Sequence, residues 1–110
     1  MDATAVIRNL EDLLAKGKES AMLRFSLGSE YLKKREIWVA IFQLRRALEL
    51  DPNYSAAWKL LGQAFTEAGN RNEARDVFRR GIEVATRRGD QQAAREMEVF
   101  VRRLDKPANS

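Results

Sequence analysis

Two stretches of the chain carry the same pattern of apolar residues and glycine at an offset of 34 residues, within residues 21–88. An internal repeat of this length constrains the fold strongly, because each copy is one supersecondary unit that buries its apolar face only by stacking on neighbours. The matching pairs are Leu27 and Leu61, Gly28 and Gly62, Tyr31 and Phe65, Ala40 and Ala74, Leu44 and Phe78, and Leu48 and Ile82.

Each copy contains a Leu-Gly-x-x-aromatic signature, followed by alanine and a large apolar residue. The signature residues are Leu27, Gly28, Tyr31, Ala40, Leu44, Ala47 and Asp51-Pro52-Asn53 in the first copy, and Trp58, Leu61, Gly62, Phe65, Ala74 and Phe78 in the second. With this period the chain resembles the tetratricopeptide repeat family. The resemblance implies an all-α fold, a short right-handed superhelical solenoid of antiparallel helix pairs, and a role in protein interaction.

Helical spacing of apolar residues predicts about six helices in one domain over residues 1–106. Val6, Leu10 and Leu14 precede Ala40, Leu44 and Leu48 by 34 residues, so the first helix has the register of the second helix of a repeat. The predicted parts are an N-terminal packing helix in 2–17, repeat 1 in 21–54, repeat 2 in 55–88, a C-terminal capping helix in 90–105 and a frayed tail in 107–110.

The last predicted helix departs from the strict repeat. At an offset of 34, Leu61 and Phe65 map to Arg95 and Val99, which suit a buried face poorly. A slip of one or two residues in the preceding loop restores an apolar face. We therefore expect a degenerate capping helix, as repeat arrays often have at their ends.

Composition excludes most catalytic chemistry. The chain has no cysteine and no histidine, which removes disulfides, thiolate zinc sites and histidine-based catalysis. It also lacks a glycine-rich phosphate loop and metal-ligand spacing. We therefore predict that it is not an enzyme and takes no cofactor and no metal. Residues 1–18 contain no apolar run long enough for a signal peptide or a membrane span, so we predict a soluble, cytoplasmic protein.

The resemblance implies a concave groove, lined by the first helices of successive repeats, that holds a peptide or helix. Some family members clamp a carboxylate with lysine and asparagine there, but this chain has Phe25, Ser29 and Leu60 in those positions, which disfavours such a clamp. An alternative left open is that Met22, Phe25 and Leu32 only support the first helix. The predicted groove residues are Met22, Phe25, Ser29, Leu32, Lys33, Lys59, Gln63, Thr66 and Glu67.

Trp38, Val39 and Phe42 fall in positions that face solvent on the convex side of such a repeat. The second repeat has Asn72, Glu73 and Asp76 there. An exposed apolar patch commonly marks an interface. Burying about 200 Å² per aromatic at roughly 25 cal/mol/Å² yields on the order of 10 kcal/mol for the pair, against about 4–15 kcal/mol for association. A homodimer that uses the patch twice is therefore reasonable. The alternative is that the first helix or a loop covers it.

A pair of adjacent arginines also repeats. Arg45 and Arg46 recur as Arg79 and Arg80, near Arg75, which suggests an alternative function as a nucleic-acid-associated accessory protein with a convex arginine stripe. A solvated face is the favoured interpretation, because the net charge is only +4, no aromatics are interleaved for base stacking, and carboxylates lie nearby at helical spacing. The predicted ion pairs are Arg45–Glu49, Arg79–Glu83 and Asp76–Arg80.

Overall fold

The structure is a computed structural model that describes residues 2–106. This part of the chain contains six α-helices and no strand, which confirms the predicted all-α helical repeat fold. The expected tail, 107–110, lies outside the described residues. The helices are α1 (Ala3–Ala15), α2 (Ala21–Lys33), α3 (Ile37–Leu50), α4 (Ser55–Glu67), α5 (Arg71–Arg88) and α6 (Gln91–Asp105).

Side-chain caps and glycines define where several helices begin and end. Asp2, Ser20 and Asp90 accept hydrogen bonds from the backbone N–H groups three residues later, at 2.9, 3.1 and 3.3 Å, which satisfies donors that have no partner within the helix. Gly89 follows α5 with φ 79°, a left-handed conformation that glycine adopts without strain. Serine and aspartate are residue types that the N-cap position of a helix favours, because their side chains accept hydrogen bonds from these backbone N–H groups.

Consecutive helices pack against each other along the chain. The pairs α2–α3 and α4–α5 form the two repeats, α3 packs on α4, α1 packs on α2 and α6 packs on α5. The result is elongated, with extents of 46 × 32 × 21 Å. One continuous cluster of buried apolar side chains runs from α3 to α6 because each pair buries its apolar face against the next. The largest fully buried side chains among residues 2–106 are Phe65, Phe78, Leu27, Leu44 and Met97.

The two signature glycines lie where paired helices approach most closely. A Cβ atom added at Gly28 would lie 2.6 Å from Cγ of Leu44, and one at Gly62 would lie 2.3 Å from Cε1 of Phe78. Both distances are shorter than non-bonded carbon atoms adopt, so a side chain at either position would force its buried neighbour to shift. This explains why glycine recurs at the 34-residue offset.

The slip predicted before the last helix amounts to two residues. Met97 is completely buried in α6 and follows Leu61, which is 3% exposed, by 36 residues. Arg95 is exposed, as its poor fit to the strict offset implied. A membrane-spanning helix would need a longer apolar run than any helix within residues 2–106 provides.

Candidate functional site

The helices expected to line the concave groove, α2, α4 and α6, follow one another across one side of the stack, with contacts between α2 and α4 and between α4 and α6. They carry all nine predicted groove residues on α2 and α4. Their placement differs between the two repeats.

In the first repeat the predicted groove residues range from half-buried to exposed. Met22 is 68% exposed, the largest value among the exposed large apolar side chains in residues 2–106. Phe25 is half-buried and stacks on Tyr54, with ring centroids 5.0 Å apart. Ser29 and Leu32 are half-buried, and exposed Lys33 forms an ion pair with Glu30. Phe25 and Leu32 both pack against the core, so they support the helix and also border the surface.

In the second repeat the predicted residues are polar and partly engaged. The ammonium of Lys59 lies 3.3 Å from a carboxylate oxygen of Glu96 on α6, and the Thr66 hydroxyl donates to the carbonyl of Gly62 at 2.8 Å. Gln63 is half-buried, whereas Thr66 and Glu67 are exposed.

A cleft of about 330 Å³ brings three of these residues together with α6. Phe78 and Phe100 lie 5.3 Å apart there by ring centroids, and the Arg103 guanidinium lies 5.7 Å from the Phe100 ring centroid. The residues that line this cleft are Gln63, Thr66, Glu67, Arg71, Phe78, Phe100, Arg103 and Leu104. The contribution of α6 was absent from the prediction, although a two-residue slip places Phe100 in the position that Ala64 has in α4.

The predicted convex residues lie on α3 and are exposed. Trp38 is 61%, Phe42 63% and Val39 42% exposed. The Trp38 ring packs edge-on against Phe65, with centroids 6.2 Å apart. The helix α1 packs on α2 and not on α3, so among the described residues it does not cover this surface, which we call the convex patch.

The arginine pairs are used differently from the prediction. Arg45 lies over the ring of Phe65 and Arg80 over the ring of Trp58, each with its Cζ 5.2 Å from the ring centroid. The ion pairs formed within residues 2–106 include none of the three predicted ones. Glu49 is instead bound by Arg46, at 3.1 Å, because residues three apart lie on the same face of α3.

Arg46 and Arg24 hold Glu19 from two helices. The Arg46 guanidinium donates to both carboxylate oxygens of Glu19 at 2.9 Å, and Arg24 lies 2.8 Å from the same group. Hydrogen bonds from Arg46 and then Arg24 lower the pKa of Glu19 from 4.5 to about 2. Arg24 also donates to Oε1 of buried Gln43 at 2.9 Å. This cluster joins the start of α2 to α3, and no repeat pattern in the sequence indicated it.

Comparison with known proteins identifies the family that has this architecture. Family profiles described as Tetratricopeptide repeat match residues 39–97 and 23–54. A TPR repeat-containing protein from Pseudomonas aeruginosa is 46% identical over 101 residues, which covers 92% of this chain and 96% of the relative. The chain belongs to the tetratricopeptide repeat family. The resemblance based on the 34-residue signature is thereby confirmed.

Solved structures with the same fold support this assignment. A protein from Bordetella parapertussis is 42% identical, with a TM-score of 0.81, 90% coverage of this chain and 86% of the other. The TPR2B domain of yeast Sti1, solved in complex with pHsp70, has a TM-score of 0.86 and covers 93% of this chain and 82% of its own. At 16% identity, that likeness concerns the fold alone.

Tetratricopeptide repeat domains generally bind protein partners and are generally not enzymes, and the fold of this chain is consistent with a protein interaction module. Within residues 2–106, no group of three or more His, Cys, Asp or Glu side chains could hold a metal ion.

Proposed function

We propose that this tetratricopeptide repeat protein is a non-enzymatic interaction module or scaffold that binds a peptide or helix of a partner protein in its concave groove. The observation that supports this proposal most directly is the cleft between α4 and α6, where the aromatic floor of Phe78 and Phe100 lies beside the polar side chains of Gln63, Thr66 and Glu67. A groove with apolar anchors and a few orienting polar groups suits a peptide.

The groove has an anchor at each end. Exposed Met22 on α2 provides a flexible apolar contact, and the cleft between α4 and α6 provides an aromatic one. A ligand that bridges both ends would cross α2, α4 and α6. Because one ligand makes both contacts, the entropy of association is lost only once. We therefore expect a segment of several residues and not a single side chain.

Site-specific photocrosslinking in the protein's own cells tests this proposal. A photoreactive phenylalanine analogue is placed at Met22 or Thr66 in the groove, or at Asp12, an exposed position on α1, as the matched control. We expect a discrete covalent adduct from Met22 and Thr66, and none from Asp12. Equal adducts from all three positions, or adducts from Asp12 alone, would rule out the groove as the binding surface.

Self-association through the convex patch is a second candidate. Trp38 and Phe42 each retain about three fifths of their surface, so burying the pair contributes about 6 kcal/mol per chain and about 12 kcal/mol in a two-fold dimer. That total is comparable with the association cost of about 4–15 kcal/mol. Such a dimer leaves α2, α4 and α6 free, so both surfaces can act together.

The nucleic-acid alternative has less support from the arginine geometry. Arg46 is bound to Glu19 and Glu49, and Arg75 forms an ion pair with Asp105 at 2.7 Å, so these two cations are already neutralised locally. A nucleic-acid complex would weaken steeply with salt. Fluorescence anisotropy with a labelled single-stranded and a labelled duplex DNA, at 50 mM and 200 mM salt, tests it: we expect no saturable binding at about 200 mM.

A further inference from the structure

A second cleft opens on the convex side between α3 and α5. It has a volume of about 460 Å³, within the range of protein sites that enclose a small ligand or several side chains. The α4 helix forms its floor with Trp58, Leu61 and Phe65. The walls are Arg45, Leu48, Glu49 and Pro52 on one side and Glu73, Val77 and Arg80 on the other.

Two arginines from opposite walls lie over this floor. Arg45 rests on Phe65 and Arg80 on Trp58, each at 5.2 Å from the ring centroid. Neither guanidinium forms an ion pair with a carboxylate among residues 2–106. A guanidinium held by an aromatic ring keeps its N–H donors available for a planar acceptor, and carboxylate is the acceptor whose geometry fits them best.

The surrounding charge favours an acidic occupant. The α5 helix contains six arginines and three acidic residues, and α3 contains two arginines and one glutamate. Of the two carboxylates in the cleft walls, Glu49 is bound by Arg46, and Glu73 lies in the first turn of α5, where the helix dipole stabilises it. Arg45 and Arg80 therefore remain in the cleft as cations that form no ion pair within residues 2–106, although Glu49 and Glu73 also line its walls.

We infer that the cleft between α3 and α5 binds an acidic amphipathic segment of a protein partner, with carboxylates on Arg45 and Arg80 and apolar side chains between the helices. This surface is separate from the concave groove, so the protein would hold two partner segments at once. A second copy of this chain suits the cleft less well, because the like charges of two α5 helices repel.

We test this inference by phage display with a library of randomised 12-residue peptides. Soluble Arg45→Gln/Arg80→Gln protein is present as a competitor, so that peptides which do not depend on these two arginines are removed. The enriched peptides are then measured by fluorescence anisotropy against three proteins. These are the native chain, the Arg45→Gln/Arg80→Gln variant, and the control variant Arg79→Gln/Arg87→Gln, which removes the same charge from exposed positions outside the cleft. Circular dichroism confirms that each variant remains folded.

We expect enriched peptides with at least two acidic residues beside apolar ones, an affinity about tenfold lower for Arg45→Gln/Arg80→Gln, and little change for the control. Binding should also shift the indole N–H resonance of Trp58, which lines the cleft, when the two tryptophan resonances are observed by NMR. Enriched peptides without an acidic excess, equal losses in both variants, or an unmoved Trp58 resonance would each overturn the inference. Groove binding is unaffected by all of these results, so the two proposals fail separately.

Discussion

Two serines at the starts of helices show how the contribution of one hydroxyl depends on its partner. Ser20 precedes α2 and accepts a hydrogen bond from the Leu23 N–H at 3.1 Å. Ser55 is the first residue of α4, is 4% exposed, and its Oγ is buried without a hydrogen-bond partner within the described chain. A buried hydroxyl without a partner loses its hydration and gains nothing in return.

We therefore predict opposite outcomes for the same substitution at these positions. Ser20→Ala should lower the free energy of unfolding by about 1 kcal/mol, because an amide at the start of α2 loses its acceptor. Ser55→Ala should leave that energy unchanged or raise it slightly, because the methyl group keeps the packing and removes the unsatisfied oxygen. Urea denaturation followed by circular dichroism measures both. A larger loss from Ser55→Ala than from Ser20→Ala would contradict the prediction.

Glu19 links the stability of the fold to pH through its two arginine partners. Arg46 and Arg24 lower its pKa in the folded chain to about 2, from 4.5. Since the folded pKa is the lower one, the stabilisation is present above pH 4.5 and is lost as the pH falls from 4.5 towards 2. Glu19→Gln should therefore reduce the drop in the thermal midpoint across this range.

Thermal scans of the native chain and Glu19→Gln at pH 7 and at about pH 3 measure that difference. Glu83→Gln is the matched control, since Glu83 is an exposed glutamate outside the cluster. If the thermal midpoint of Glu19→Gln falls as much as that of the native chain between these pH values, the cluster does not couple protonation to folding.

At the scale of helices, the close contact between α4 and α5 depends on a missing side chain. A Cβ atom at Gly62 would lie 2.3–2.6 Å from three atoms of the Phe78 ring, and that ring is 1% exposed and cannot move aside freely. Interiors packed to this density respond to an added methyl group by strain. The helix pair would have to separate to accept one.

Gly62→Ala should accordingly lower the free energy of unfolding by about 1–3 kcal/mol, even though alanine is the better helix former. Phe78→Leu makes room for the methyl group. The double variant Gly62→Ala/Phe78→Leu should therefore lose less free energy of unfolding than the sum of the losses of the two single variants. Denaturation of the single and double variants measures this coupling. Additive losses would mean that the contact does not limit the approach of the helices.

The last helix shows how far the repeat pattern extends. A period of 34 predicted α2 to α5 residue by residue, because each buried position contacts an equivalent neighbour in the next unit. At α6 the neighbour on one side is missing, so Arg95 and Val99 fell in the wrong register and Met97 took the buried position. The Phe100 contribution to the cleft beside α4 was missed for the same reason.

At the scale of the whole molecule, the exposed aromatic residues of α3 form an apolar surface that faces solvent. The second repeat has polar residues where α3 has Trp38 and Phe42, so a repeat of this fold does not need apolar side chains at these positions. Apolar surface that the fold does not need is commonly an interface. The two-fold dimer proposed above is the simplest assembly that buries it.

We expect the native chain to be a dimer by light scattering across a concentration series, and Trp38→Glu/Phe42→Glu to be a monomer with an unchanged circular dichroism spectrum. The spectrum should be unchanged because both side chains are more than half exposed. Met22→Glu is the control, since Met22 is equally exposed but lies on α2. A native monomer at all concentrations would rule out self-association through the convex patch.

The sequence by itself determined the repeat length, the family, the order of the helices and the exposure of Trp38 and Phe42, because these depend on residues close in the chain and on a periodic burial pattern. Only the tertiary structure decided which charges meet. Glu19 binds Arg46 across 27 residues, Lys59 binds Glu96 across 37, and Arg45 rests on Phe65 in place of the predicted pair with Glu49. Long, exposed side chains have many partners within reach, and the packing of helices selects among them.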